Sequence, residues 1–326
     1  MLGITINSIA LPSTFSKLIA QIGGTAANPT VPTVTTLPPA VVSGTYGVFC
    51  VDPLGQFAYT TSGGHSNTST VYKINLATFA VTTIMASSVF SPSGVKGMCV
   101  DPTGTTIYAV TGEYFNGASG YGNYNTSVIS FPAAGGSVTA IAGGQGATVI
   151  GTDVDGTGAA ANFALGNADL GGICTDGLGN LYIGTATHLR KVVISTGVVT
   201  TFANSSNGFT GGLQYGASGS IYCADGYSGD VVQMSLGGVA KKTYSAGSGP
   251  ITAILGVDPA EANIYFVVSN LNGGKALQRV TLATDALVQI VAALPNAANS
   301  TINNGGFSGN SLIFMDATGA IQEVSG

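Results

Sequence analysis

The chain has no tryptophan and only two histidines, and Asp, Glu, Lys and Arg together make up 7% of its 326 residues. An average soluble protein carries about 25% charged residues. Each shortage excludes something. The basic residues are scattered, with only Arg190-Lys191 and Lys241-Lys242 adjacent. A patch able to displace counterions from phosphates is therefore missing, and nucleic acid is not an expected partner. Scarcity of Glu, Lys and Arg removes the long helix formers, while abundant Gly, Thr, Ser, Val and Ala favours strands and turns. No window approaches about 18 uninterrupted apolar residues, so neither a spanning helix nor membrane insertion is expected. The start, MLGITINSIALPSTFSKLIA, lacks a basic leader, and Thr5, Asn7, Ser8 and Pro12 break its apolar run. That is unlike a secretory signal, and synthesis in a cytoplasm is expected.

Chemistry is short of material too. Glutamate occurs only as Glu113, Glu261 and Glu323, and histidine only as His65, in a Gly/Ser-rich loop, and His188. A metal site or an acid–base pair needs convergent partners. No catalytic residue, metal ligand or cofactor is expected. Of the four cysteines, Cys50, Cys99 and Cys174 occupy one repeat position, two residues before the turn Asp, and Cys223 occupies another. Equivalent positions of different repeats lie too far apart for a disulfide, so the thiols are expected free and buried.

What is present is a repeat. Apolar or small residues lead to Asp, a Gly-containing turn and an apolar-Tyr strand: VFCVDPLGQFAYTT (48–61), GMCVDPTGTTIYAV (97–110) and GICTDGLGNLYIGT (172–185). Weaker copies are LQYGASGSIYCAD (213–225), ILGVDPAEANIYFVV (254–268) and NGGFSGNSLIFMD (304–316). Aligned on Tyr59, Tyr108, Tyr182, Tyr222, Tyr265 and Phe314, the spacings are 49, 74, 40, 43 and 49. A propeller blade takes roughly 40–50 residues, and the long spacing marks an insertion. A third strand and usually a fourth follow each copy, such as VYKI (71–74) with AVTTIM (80–85) and ALQRVTL (276–282) with ALVQIVA (286–292). The sixth copy has AIQEVS (320–325) as its third strand, and KLIAQIGG (17–24) resembles the missing fourth. The expected fold is all-β: a six-bladed β-propeller of four-stranded antiparallel blades over 41–326. Its ring is closed by an N-terminal strand near 17–22, within an extended arm over 1–40. Such closure leaves no open sheet edge inside the ring.

The third copy and its lead-in carry a family resemblance. Asp155-Gly156-Thr157-Gly158, then Ala161-Asn162-Phe163, then Gly172-Ile173 with Asp176, and Gly179-Asn180-Leu181-Tyr182 resemble an NHL repeat. Thr187-His188-Leu189 stands where that family has Asn-His-Leu. The resemblance implies a six-bladed propeller that mostly supplies binding surfaces, and a blade-stabilising role for His188. A minority of related propellers are lyases or lactonases with His/Glu or metal-ligand clusters, which this composition hardly supplies.

Asp52, Asp101, Asp176 and Asp258 each precede a turn, where a carboxylate accepts backbone N–H groups. Asp153-Val154-Asp155-Gly156 looks like part of a calcium loop but lacks its downstream Glu. Two irregular regions remain for contact. One is GEYFNGASGYGNYN (112–125), whose Tyr114, Phe115, Tyr121 and Tyr124 suit an adaptable surface for protein or glycan. The other is the N-terminal arm, extended by Pro29, Pro32, Pro38 and Pro39. With so little charge to keep copies apart, much of the surface is expected to be covered in an assembly. The expected function is a non-catalytic structural or adhesive subunit of an extracellular or virion assembly, similar to a bacteriophage tail or surface component. Its partners would be protein subunits, including further copies, and a host glycan or receptor. The competing readings are a propeller lyase or hydrolase with its site in the central channel, and an intracellular NHL protein-interaction module.

Overall fold

The structure is a computed structural model, which describes residues 33–37, 47–62, 69–90, 94–117, 120–144, 152–165, 172–204, 208–209, 212–225, 229–246, 249–269, 274–292, 294, 305–316 and 320–325. The propeller occupies Pro32–Ser325. The first strand, β1 (Thr33–Thr36), belongs to the last blade. Blade 1 is β2 (Phe49–Val51), β3 (Phe57–Thr61), β4 (Val71–Asn75) and β5 (Val81–Met85). Blade 2 is β6 (Gly94–Val100), β7 (Thr106–Gly117), β8 (Gly120–Pro132) and β9 (Thr139–Gly143). Blade 3 starts from a two-residue strand, β10 (Gly156–Thr157), and continues with β11 (Ile173–Thr175), β12 (Asn180–Gly184), β13 (His188–Val193) and β14 (Val198–Asn204). Blade 4 is β15 (Leu213–Tyr215), β16 (Ser220–Asp225), β17 (Asp230–Ser235) and β18 (Ala240–Ser245). Blade 5 is β19 (Ile251–Val257), β20 (Asn263–Ser269), β21 (Lys275–Thr281) and β22 (Ala286–Val291). Blade 6 is β23 (Gly305–Ser308), β24 (Ser311–Met315) and β25 (Ile321–Ser325), completed by β1.

The inner strands β2, β6, β11, β15, β19 and β23 touch in succession, and β23 meets β2. The ring is closed as expected, but by a different segment. Thr33 pairs with Ser325 and Thr36 with Gln322, so β1 takes the place that the sequence reading gave to 17–22. Residues 17–22 lie outside the described residues. TVTT is β-branched throughout, which suits an outer strand better than KLIAQI with its Lys, Ala and Gln. Blade 3 also departs from four strands, because β10 pairs with Val198 and Val199 on its outer edge.

The repeat aromatics fall at one register. Tyr59 pairs with Cys50, Tyr108 with Cys99, Tyr182 with Cys174, Tyr222 with Gln214, Tyr265 with Gly256 and Phe314 with Gly305. The core lies in layers between neighbouring blades rather than in one central mass. Between blades 1 and 2, Tyr59, Val71 and Met85 pack with Met98, Ile107 and Phe131. Between blades 4 and 5, Tyr222, Val231 and Tyr244 pack with Ile254, Ile264 and Phe266. Each fully buried large apolar side chain is worth about 1.5–3 kcal/mol.

The turns after the inner strands obey one rule. Asp52 Oδ1 accepts the N–H groups of Gln56 and Phe57, each at 2.7 Å. Asp101 Oδ1 does the same for Thr105 and Thr106 at 2.7 Å. Asp176 takes Leu178 and Asn180, and Asp258 takes Ala262. Three residues on, the backbone is left-handed: φ is 65° at Gly55, 73° at Gly104, 99° at Gly179 and 75° at Gly219. The turn aspartates are thus structural. Blade 4 lacks one, having Gly216 there, and blade 5 has Glu261 in place of the left-handed glycine, with φ 51°.

Candidate functional site

Inner strands all run the same way, so their following turns crowd one end of the channel. At that end lies a cavity of about 330 Å³, lined by residues of all six inner strands. Cys50, Cys99 and Cys174 line it on blades 1–3, Gln214 and Tyr215 on blade 4, Val257 on blade 5, and Gly306 and Phe307 on blade 6. Among the described residues Asp52 is the one carboxylate in this lining, and its Oδ1 is already held by its own turn. Histidine, lysine and arginine among the described residues do not contribute to it. Among the described residues no group of three or more His, Cys, Asp or Glu is placed to hold a metal ion.

The four cysteines are free. Burial pushes the thiols of Cys50, Cys174 and Cys223 well above their ordinary range, with nearby charge adding to it. The thiolate is the reactive form. We expect none of the four to react with Ellman's reagent at pH 8 in the native chain within an hour, and all four after denaturation. Rapid native labelling of Cys99, which is only half-buried at the cavity wall, would show the channel open to a bulky reagent.

The segment expected as an irregular loop at 112–125 is instead regular. β7 runs for 12 residues and β8 for 13, against three to seven for the other inner and second strands. Past the blade proper the two strands stay paired: Glu113 with Tyr124, Tyr114 with Asn123, Phe115 with Gly122, Asn116 with Tyr121 and Gly117 with Gly120. Aromatic residues favour an extended, pleated backbone, and Gly117 and Gly120 form the last pair. One hairpin therefore carries all four of Tyr114, Phe115, Tyr121 and Tyr124. As a connection between second and third strands, it leaves the propeller on the face opposite the cavity.

His188 stands at the start of β13 and tethers the lead-in to blade 3. Its Nδ1 lies 2.7 Å from Asp153 Oδ2. That oxygen also accepts the hydroxyls of Thr185 at 2.6 Å and Thr187 at 3.2 Å. Asp153 Oδ1 accepts the Ala164 N–H at 2.8 Å and faces Arg190 Nη1 at 3.1 Å. Arg190 is fully buried, and its Nη2 reaches Asp155 Oδ1 at 2.5 Å. The two carboxylates of the calcium-like run thus face an arginine and a histidine of their own blade. His65 lies outside the described residues.

One carboxylate has a structural role across two blades that its own repeat copy does not announce. Glu261 reaches from the blade 5 turn into blade 4, beside Gly216. Its Oε1 accepts the hydroxyls of Ser218 at 2.5 Å and Tyr222 at 2.6 Å, and its Oε2 accepts the Ser218 N–H. In blade 3 the equivalent groups, Leu178 N–H and Tyr182 O–H, go to Asp176. Glu261 therefore supplies from the next blade the carboxylate that Gly216 cannot. Partial burial raises its pKa, but the hydrogen bonds from Ser218 and Tyr222 and the charge of Lys241 outweigh that and hold it below the ordinary value. The signal was in the sequence as paired exceptions: Gly for Asp at 216, Glu for Gly at 261.

No family model matches the chain, and no curated protein matches it in sequence. Solved structures do match in shape. A chain of a nidogen–laminin complex is 14% identical, with a TM-score of 0.58 over 82% of this chain and 88% of its own. A streptogramin B lyase is 10% identical, with a TM-score of 0.55 over 90% of this chain and 97% of its own. A putative TolB from Agrobacterium tumefaciens is 10% identical, with a TM-score of 0.56 over the same shares. At such identities the likeness speaks to architecture and leaves function to the chain's own residues. What these similarities and the ring of sheets establish together is a six-bladed β-propeller.

Proposed function

We propose that the chain is an NHL-type propeller acting as a non-catalytic structural or adhesive subunit of an extracellular or virion assembly, such as a bacteriophage tail or surface component. It binds protein or glycan through its projecting hairpin. The observation that carries this reading is the hairpin itself, which extends two strands of one blade beyond the ring and bears Tyr114, Phe115, Tyr121 and Tyr124. Tyrosine and phenylalanine give large contact area at little entropy cost, and Asn and Gly between them adapt to polar partners. Low charge supports the assembly half of the reading, and the Asp153–His188–Arg190 clasp supports the NHL half. A propeller of similar fold occurs in a nidogen–laminin complex, where protein contacts protein. Synthesis in a cytoplasm with function outside the cell fits free, buried thiols, which fold without oxidation.

The test is the mass of the native assembly, by light scattering and electron microscopy of material from its source. A ring, fibre or particle is expected, and a monomer at all concentrations overturns the assembly reading. The hairpin's part is tested by replacing its four aromatics together with alanine. Interface aromatics are often worth about 2 kcal/mol each. We expect partner binding or self-association to weaken at least about 30-fold with the melting temperature nearly unchanged. An unchanged affinity would remove the hairpin from the interface.

A further inference from the structure

The channel cavity breaks the repeat in three adjacent blades, and the breaks converge. At the position of Cys50, Cys99 and Cys174, blade 4 carries Gln214, and blades 5 and 6 carry Gly256 and Gly305. One residue on, where blades 1, 2 and 5 have Val51, Val100 and Val257, blade 4 has Tyr215. One further on, where four blades have the turn aspartate, blade 6 has Phe307. Phe307 lies over Gly256, where an added Cβ would stand 2.8 Å from its ring, and meets Tyr265 edge-on with centroids 5.7 Å apart. Blades 4 and 6 thus bring a phenol, an amide and a phenyl ring to either side of blade 5, which itself contributes only Val257 to the lining. Structural repetition needs none of these. Departures from a local rule gather where a fold is put to use.

We infer that this cavity binds a small neutral aromatic molecule bearing one hydrogen-bonding group, of the size of a substituted phenol. Its volume of about 330 Å³ falls at the small end of ligand pockets. Its lining is mostly apolar, and its one carboxylate is committed to the Gln56 and Phe57 amides. A charged ligand would lose its hydration without gaining a counter-charge. The Thr175 hydroxyl is held by its own turn, donating to the Asn180 carbonyl and accepting the Gly177 N–H. That leaves Gln214 and Tyr215, together on blade 4, as the uncharged polar groups. They orient a single hydroxyl or amide, while Phe307 offers a ring for stacking. Gln214 is well suited to the task, since its Nε2 spends only a long contact, 3.4 Å, on the Leu255 carbonyl. The inference is independent of the assembly reading, because the hairpin leaves by the opposite face.

The experiment is calorimetric titration of the intact chain at pH 7 with 4-ethylphenol, which is neutral, and with 4-ethylbenzoate, which is charged. A dissociation constant below about 1 mM, or −4.1 kcal/mol, is expected for the phenol, and at least tenfold weaker binding for the benzoate. Val257→Phe fills the floor of the slot and is expected to weaken the phenol at least tenfold. Gln214→Leu, an apolar residue where other blades have Cys or Gly, is expected to weaken the phenol about tenfold and to leave 4-methylanisole unaffected. Should Val257→Phe fail to fold by circular dichroism, Gln214→Leu alone decides. Absence of heat up to 10 mM, equal affinity for the benzoate, or phenol binding indifferent to the folded variants each overturns the inference.

Discussion

Replacing Asp153 by alanine is expected to lower folding stability by about 3–5 kcal/mol, the usual cost of breaking a buried ion pair from one side. The carboxylate is 1% exposed and the Arg190 side chain it faces is fully buried. Its removal leaves the buried guanidinium with only the half-exposed Asp155 as counter-charge, its Nε already lacking a partner among the described residues, and takes the acceptor from His188 Nδ1 and the Ala164 amide. At about 2 °C per kcal/mol for a chain of this size, the melting temperature should fall by roughly 6–10 °C. The internal control is Asp285→Ala. Asp285 pairs with Lys242 at 2.5 Å, but the two side chains are 57% and 38% exposed. Exposed pairs are worth about 0–1 kcal/mol. If the two variants melt alike in scanning calorimetry, the clasp does not hold blade 3 as described.

The second large effect is a coupling. Glu261→Gly restores the left-handed glycine of the repeat but deprives Ser218 and Tyr222 of their acceptor, and is expected to cost about 1.5–3 kcal/mol. Gly216→Asp restores the turn aspartate but places a Cβ 2.7 Å from Glu261 Oε1 and 2.8 Å from the Tyr222 ring. It is expected to cost at least about 2 kcal/mol through overpacking and like charge. Together the two changes rebuild the arrangement of blade 3, with Tyr222 free to move as Tyr182 sits beside Asp176. The double variant should come within about 1 kcal/mol of the natural chain, a coupling of at least 2 kcal/mol. Simple additivity in urea unfolding would refute the substitution of one blade's carboxylate for another's. Acid titration gives a second reading. The folded pKa of Glu261 lies below its ordinary value. Its contribution is therefore complete above that ordinary value and lost as pH falls through the folded one. Glu261→Gln should flatten the fall of stability below about pH 4.5.

The blades were legible because their punctuation is chemical. Asp followed by a left-handed glycine and then an apolar-Tyr strand has one economical conformation. Blades 1–3 carry it whole, with the aromatic opposite a cysteine, and the weaker copies of blades 4–6 keep its spacing and their aromatic, so six copies in order mark six sheets. The closing strand was misplaced because outer strands carry no such punctuation. KLIAQIGG copies the fourth strand of blade 2 in composition, while TVTT sits between prolines, and pairing with β25 is decided by geometry some 290 residues away. The hairpin at 112–125 was read as a loop for a related reason: Gly, Asn and Ser dominate it, and only cross-strand partnership makes it regular. Glu261 and Phe307 were missed because each is an exception whose partner is in a different copy. A repeat read one copy at a time sees a defect at Gly216 and another at Glu261, where the fold has a single contact.

The join between β1 and β25 has a temporal side. Thr33 leaves the ribosome long before Ser325, its partner. At about 5–20 residues per second, the intervening stretch takes roughly 15–60 s to make. For all that time blade 6 is incomplete, and β2 waits without its neighbour on one side, joined late in synthesis by β19 on the other flank of the gap. The charge-poor outer strands of finished blades, such as β5 and β22, wait in the same compartment. A nascent chain of this kind is exposed to capture by its own kind, on the same polysome, before it is a ring. Translation speed and chaperone supply, rather than final stability, then set how much of the product is closed and how much is tangled.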